Sequence, residues 1–383
     1  MKIQIKRELL FVMILIFGTL LISGCSNEEN LINGGRPKIS YIRMTDPKSS
    51  DSLIVSASQN QMIAIMGENL QKTAEVWVND RKASVISTFI TSTTVIARVP
   101  ELLPTNITNT LTLKFTNGDS LVYPFTLKVG KPIIDYMLSE YVTDGDIATI
   151  RGNYFYKPAK VFFPGNVEGE IVEISQDMIK VKVPQGARPG PISVETNFGT
   201  AKSKLYFRDN RNMISTFDGP TDGWAKGTEF IKESDPDIAN INGNFMRINQ
   251  VIGGWQWWEM YIASRDSDVK NETKNIPQAA FLSPSSYTLK FEISTLTPLT
   301  GAWLKMFMGP DIYNRGEAAY IWQPNLDTKG KWETVSIPFS NFYSANLLFP
   351  YNPDGYGVFF FFHGPNEADV NIAIDNLRVV PNK

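Results

Sequence analysis

Residues 39–208 contain short apolar runs separated by Gly, Pro, Asn and Asp, without the spacing of an amphipathic helix. This pattern is typical of antiparallel β-sandwiches. In IKVKV at 179–183, apolar and charged side chains alternate, which predicts a strand with one face in water. The predicted fold class is all-β.

Two stretches of this region repeat one order of elements: a strand that ends in a Gly/Asn turn, a second strand, and a strand that ends at Pro. The first has IAIMGENL at 63–70, VWV at 76–78 and VIARVP at 95–100; the second has ATIRGNYF at 148–155, VFF at 161–163 and IKVKVP at 179–184. Glycine is expected to supply the positive φ of each turn, and proline to end the sheet ladder. We predict two tandem immunoglobulin-like sandwiches, at 37–130 and 131–208.

The region 213–383 has a different pattern. Alternation in YTLKFEIS at 287–294 predicts a strand with one buried and one solvated face, and VFFFF at 358–362 predicts a central strand covered on both faces. Seven of the eight tryptophans lie at Trp224 or beyond. We predict one larger, jelly-roll-like β-sandwich here.

Charge and composition narrow the chemistry. The 383 residues include 37 basic and 39 acidic side chains, which gives a net charge of −2. The chain therefore has no strong positive electrostatic field that would attract nucleic acid. A single cysteine and a single histidine exclude a disulfide framework, a cysteine-rich zinc site and a Cys–His dyad within one chain, and no cofactor or metal is expected. His363, at a strand end, is predicted to be structural. Asp218 and Asp375 are predicted to be solvated turn carboxylates, with a structural calcium site as the alternative.

The N-terminus has the features of an export signal. Basic residues precede an apolar run at 9–22, which is short for a membrane span and typical of a signal-peptide core. The run ends in LISGC at 21–25, which resembles a bacterial lipobox. This resemblance implies a lipoprotein signal peptide at 1–24, a lipidated Cys25 and a polar tether at 25–36. SNEE at 26–29 is similar to the surface-export signal of Bacteroidetes lipoproteins.

The stretch GGWQWWEMY at 253–261 holds three tryptophans within four positions. On a regular strand, Trp255, Trp257 and Glu259 share one face and Trp258 the other, so alternation favours Trp257 outward and Trp258 inward. The glycine pair at 253–254, however, could produce a bulge that presents neighbouring rings on one side. An exposed indole suits the flat apolar face of a sugar ring, with polar groups such as Gln256 and Glu259 fixing its orientation.

ISTFDG at 214–219, Trp224, the tandem aromatics and IDNLRV at 374–379 together resemble the C-terminal domain of Bacteroidetes surface glycan-binding proteins of type B. The region 37–207 resembles the IPT/TIG modules of such proteins. The resemblance implies a glycan platform of Trp224, Trp257 and Trp258, with four aromatic residues in reserve: Trp255, Trp303, Trp322 and Tyr320. It also implies a non-catalytic lipoprotein at the cell surface, anchored in the outer membrane, that captures a xyloglucan or related β-glucan for a SusC/SusD-like uptake complex.

Two other functions stay open at this point. An adhesion or spacer protein would use the same exposed aromatics to bind a protein partner. A glycoside hydrolase needs two carboxylates, but no carboxylate of this sequence stands in a catalytic signature.

Overall fold

A computed structural model describes residues 35–49, 51–218, 228–263, 272–310, 318–346 and 349–382. These residues are mainly β-strand, which confirms the all-β prediction. The chain divides into two compact units, Met1–Val129 and Gly130–Lys383. Among the described residues, no helix is both long and apolar enough to cross a membrane.

The first unit contains a mainly antiparallel sandwich of ten strands. They are β1 Lys38–Met44, β2 Ser56–Ser58, β3 Met62–Glu68, β4 Thr73–Val78, β5 Arg81–Lys82, β6 Ser84–Ile90, β7 Thr94–Arg98, β8 Thr110–Phe115, β9 Ser120–Pro124 and β10 Thr126–Lys128. One sheet has the order β1-β3-β7-β6 and the other β5-β4-β8-β9, while β10 and β2 form a parallel pair. Alternate residues of these strands, including Ile63, Val76 and Leu113, make one core.

The second sandwich opens the second unit. Its strands are β11 Ile133–Met137, β12 Ile147–Asn153, β13 Ala159–Phe163, β14 Val167–Ile174, β15 Met178–Lys182, β16 Ser193–Thr196 and β17 Gly199–Lys202. They follow one path in the order β11-β12-β15-β14-β13-β16-β17 around a core of their own. Lys180 and Lys182 are at least partly exposed while Ile179 and Val181 are buried, so the predicted wet face of β15 is confirmed.

The repeated glycines have a different role from the predicted one. A Cβ at Gly67 would lie 2.0 Å from the Lys38 carbonyl oxygen, and a Cβ at Gly152 would lie 1.9 Å from that of Ile133. Glycine is therefore required because the neighbouring strand approaches closely. The positive φ falls two residues later in both modules, on Asn69 and Tyr154.

The C-terminal sandwich is larger. Its strands are β18 Met213–Ser215, β19 Ile231–Lys232, β20 Phe245–Ile252, β21 Trp258–Ala263, β22 Tyr287–Thr295, β23 Leu299–Thr300, β24 Leu304–Gly309, β25 Tyr320–Trp322, β26 Asn325–Leu326, β27 Glu333–Pro338, β28 Gly357–Phe362 and β29 Ala368–Pro381, with helices α1 Gln278–Leu282 and α2 Phe339–Ala345. One sheet has the order β19-β20-β29-β22-β27, with β18 beside β29, and the other has the order β21-β28-β24-β25. Apolar residues of both sheets form the largest core of the chain's described part.

Two strand predictions can be compared with this sandwich. All six residues of β28 are buried, as predicted for a strand covered on both faces. The predicted solvated face of β22 is wrong, since Glu292 and Ser294 are fully buried. The second sandwich covers part of this face: Glu140 pairs with Lys290 of β22 and with Arg378 of β29.

Candidate functional site

The tryptophan-rich stretch begins with a tight turn at 253–256. The Gln256 backbone N–H donates to the Gly253 carbonyl at 3.0 Å, and the Trp255 N–H donates to the Gly364 carbonyl at 2.6 Å. Gly254 lies so close to the next loop that a Cβ there would be 2.6 Å from the Pro365 carbonyl oxygen. Trp255 occupies the third position of the turn at a φ of 57° and is 58% exposed. The turn therefore holds an indole out in water.

Trp257 follows the turn and is 51% exposed. Its ring lies 5.1 Å from Phe361, a fully buried residue on the face of β28 that points away from the main core. Its Nε1–H donates to Glu259 Oε2 at 3.3 Å. The buried ring of Phe361 and the carboxylate of Glu259 thus hold the exposed indole of Trp257 in place.

His363 and Trp303 complete the cluster. The imidazole ring centre lies 5.4 Å from that of Trp255 and 4.8 Å from that of Trp257. Trp303 meets Trp255 edge to face at 6.3 Å and packs against Gly364, where a Cβ would come within 2.8 Å of the Trp303 Cβ. We call Trp255, Trp257, Trp303 and His363 the aromatic cluster. His363 and Trp303 come from strand ends distant in sequence, so local pattern alone does not connect them to the turn.

The structure contradicts the assignment of Trp258 to the platform. Trp258 is 2% exposed and belongs to the main core, with its ring 5.1 Å from that of Phe230. The reason is regular pairing: from Trp258 to Tyr261, before a shift of register, β21 pairs in register with β28, with Trp258 opposite Phe362 and Glu259 opposite Phe361. The glycine turn ends before this strand and does not change its alternation.

The other predicted residues separate into three groups. Trp255, Trp257, Gln256 and Glu259 come together at the turn, where Gln256 Oε1 accepts from the Gly253 N–H at 2.9 Å. The reserve residues Trp322 and Tyr320 pack partly buried against the main core. Trp224 and Cys25 lie outside the described residues.

The two candidate calcium carboxylates have different environments. Asp218 is exposed and accepts from the Asn244 N–H at 2.6 Å, as a turn carboxylate does. Asp375 is completely buried, so its prediction as a solvated group is wrong. Within the ranges that the structure describes, no three acidic, histidine or cysteine side chains are grouped as metal ligands.

Comparison with known proteins agrees with an immunoglobulin-like module in the first unit and a glycan-binding domain at the C-terminal end. Residues 207–381 match the family model of the surface glycan-binding protein B xyloglucan binding domain, and residues 49–129 match the IPT/TIG domain. An IPT/TIG domain-containing protein of Bacteroides ovatus is 29% identical over 164 residues, which are 41% of this chain and 33% of that protein. The match thus spans about a third of the curated relative's length.

Two solved structures share the fold. Surface glycan-binding protein PbSGBP-B from Prevotella bryantii has a TM-score of 0.64 at 23% identity, over 91% of this chain and 99% of the other. A crystal structure with a xylogluco-oligosaccharide has a TM-score of 0.50 at 17% identity, over 91% of this chain and 100% of the other. The family matches confirm the resemblance seen in the sequence: the chain is similar to surface glycan-binding protein B, and its residues 207–381 match the xyloglucan-binding domain of that protein.

Proposed function

We propose that this chain binds a xyloglucan or related β-glucan at the cell surface without cleaving it. The observation that carries the proposal is the pair of exposed indoles: Trp255 in a hydrogen-bonded turn and Trp257 directly after it. Neighbouring exposed rings form an apolar patch of the kind that marks binding sites, and the C–H face of a pyranose ring fits an indole. The family model that matches 207–381 is itself described by xyloglucan binding, which supports this class of ligand.

The size of the aromatic cluster favours a polymer over a small molecule. A sugar ring stacked on one indole removes roughly 40 to 80 Å² of apolar surface from water, which at about 25 cal/mol per Å² contributes about 1 to 2 kcal/mol. Two or three such contacts contribute roughly 2 to 6 kcal/mol, which is similar in size to the roughly 4 kcal/mol or more that association costs. Binding to one site is therefore expected to be weak, and many copies on a surface would compensate by avidity.

The cellular setting belongs to the same proposal. A lipid on Cys25 would anchor the chain in the outer membrane, and captured glycan would pass to a SusC/SusD-like complex. Trp224 would extend the platform beyond Trp255 and Trp257. The sequence patterns around Cys25 and Trp224 support these steps.

The test is binding of soluble xyloglucan by variants that remove single indoles. Trp257→Ala should raise the Kd about tenfold, since one stacking contact is lost, and Trp255→Ala should act in the same direction. Calorimetric titration gives the Kd, and circular dichroism checks the fold.

Trp77→Ala is the matched control, because Trp77 is a half-buried tryptophan of the first unit. Wild-type affinity in both cluster variants would refute the binding surface. Release of reducing ends from the polysaccharide by the wild-type protein would refute the non-catalytic role.

A further inference from the structure

The only histidine of the chain contacts the rings of both exposed indoles. Its backbone N–H donates to the Trp303 carbonyl at 3.2 Å, and the carbonyl of the next residue, Gly364, accepts from the Trp255 N–H. The imidazole is half-buried. Main-chain bonds on both sides therefore fix where this ring stands relative to the turn.

One imidazole nitrogen already has a protein partner. Nδ1 lies 3.3 Å from the main-chain carbonyl oxygen of Gln256. Because a carbonyl only accepts, this contact is a hydrogen bond when Nδ1 carries the proton. In the neutral ring, Nε2 then bears the lone pair and acts as an acceptor.

The second nitrogen, Nε2, forms no hydrogen bond with any residue that the structure describes. A polar acceptor in contact with two exposed indoles is a group that a stacked sugar can use, because the sugar hydroxyls project from the rim of the ring while its C–H face covers the indole.

We propose that His363 is a positioning and specificity residue of the glycan site, with Nε2 accepting a hydrogen bond from a hydroxyl of a sugar stacked on Trp255 or Trp257. This inference rests on the proposed function. The Gln256 contact sets the tautomer, and the two indoles set the plane in which the hydroxyl is recognised. Stacking alone tolerates many sugars, whereas a directed hydrogen bond selects the hydroxyl configuration.

Two substitutions of His363 distinguish the roles of its two ring nitrogens. The amide of glutamine reaches the place of Nε2, and the amide of asparagine reaches the place of Nδ1. For soluble xyloglucan, His363→Gln should stay within about twofold of the wild-type Kd, and His363→Asn should raise it about fivefold, the effect of one lost neutral hydrogen bond. If His363 were only structural, His363→Asn would keep the Gln256 contact and bind better than His363→Gln.

A measurement on the wild-type protein gives the same answer without a variant. Because the chain has one histidine, long-range ¹⁵N–¹H spectra show one pair of imidazole nitrogens. A xyloglucan oligosaccharide should shift the Nε2 signal and leave Nδ1 protonated. If the wild-type protein binds the oligosaccharide while Nε2 is unmoved, or if His363→Asn binds as well as His363→Gln, the role of His363 is refuted and the proposed function stands. If the wild-type protein does not bind, the proposed function itself fails.

Discussion

Asp375 is a carboxyl group without access to water, in the middle of β29. Its Oδ1 accepts from the Asn376 N–H at 2.7 Å, and Glu292 lies opposite it on β22. Burial raises the pKa of Asp375 to about 9 despite the Asn376 hydrogen bond, and the nearby Glu292 adds to the rise. The group is therefore protonated in the folded protein at neutral pH.

This raised pKa makes stability depend on pH. In the unfolded chain an aspartate loses its proton near pH 4, whereas folded Asp375 keeps it to about pH 9. The folded state thus binds more protons over this window, so the contribution of Asp375 is fully present below about pH 4 and is lost as the pH rises. The ideal slope is roughly 1.4 kcal/mol per pH unit for one group.

Asp375→Asn should remove this dependence, since the amide stays neutral and can still accept from the Asn376 N–H. Urea unfolding followed by tryptophan fluorescence at pH 5, 7 and 8.5 should show the variant gaining stability over the wild type as the pH rises. Asp369→Asn, on the exposed side of the same strand, is the control and should leave the pH profile unchanged. Parallel profiles for Asp375→Asn and the wild type would contradict the raised pKa.

At the scale of elements, the turn at 253–256 places a tryptophan in a backbone conformation that favours glycine. A positive φ at the third position of a turn suits glycine, and a side chain there costs roughly 1 kcal/mol. Trp255 occupies this position at a φ of 57°. Backbone strain of this kind is concentrated at binding sites, which is consistent with an indole held outward for a ligand.

Comparing Trp255→Gly with Trp255→Ala isolates this strain, because both remove the indole and only glycine relieves the backbone. The glycine variant should be the more stable by roughly 1 kcal/mol in urea unfolding. Both should weaken xyloglucan binding to the same degree. Equal stability of the two variants would show that the turn is not strained.

The elements also show how far sequence patterns reach. Alternation predicted β15 and the inward side of Trp258, and a continuous apolar run predicted β28, because strand geometry is local and the first residues of β21 pair regularly with β28. The resemblance in the tandem aromatics predicted that Trp258 is exposed, which is wrong. A resemblance in sequence identifies a motif but does not give the register in which its strand pairs. The buried face of β22 and the position of His363 beside the turn depend on contacts between segments distant in sequence, which no local pattern contains.

At the scale of the molecule, a buried ionic network joins the second sandwich to the C-terminal one. Glu140, in the loop after β11, places its carboxylate between Lys290 and Arg378, with Arg378 Nη2 at 2.7 Å from its Oε2. Arg378 also donates to Glu292 at 2.7 Å through Nη1. Two cations and two carboxylates balance, and Glu140, Glu292 and Arg378 are each at most 3% exposed.

Main-chain contacts strengthen the same joint. The Glu140 N–H donates to Thr334 Oγ1 at 2.7 Å, and the Thr334 N–H donates to the Leu138 carbonyl at 2.7 Å. Thr334 lies on β27, at the edge of the sheet that contains β29. We therefore expect the C-terminal sandwich to keep a fixed orientation relative to the second sandwich.

Glu140→Gln tests whether this joint stabilises the C-terminal sandwich. The substitution leaves the fully buried Arg378 with one carboxylate fewer, and breaking a buried pair in this way costs roughly 3 kcal/mol or more. Seven of the eight tryptophans lie at Trp224 or beyond, so fluorescence reports chiefly the unfolding of this sandwich. Its midpoint should fall in Glu140→Gln and stay unchanged in Glu195→Gln, which alters an exposed glutamate of the second sandwich. Glu140 belongs to the second sandwich, whereas most of the tryptophans belong to the C-terminal one. A lower midpoint in Glu140→Gln would therefore show that the two sandwiches stabilise each other. An unchanged midpoint would show that they are adjacent without this coupling.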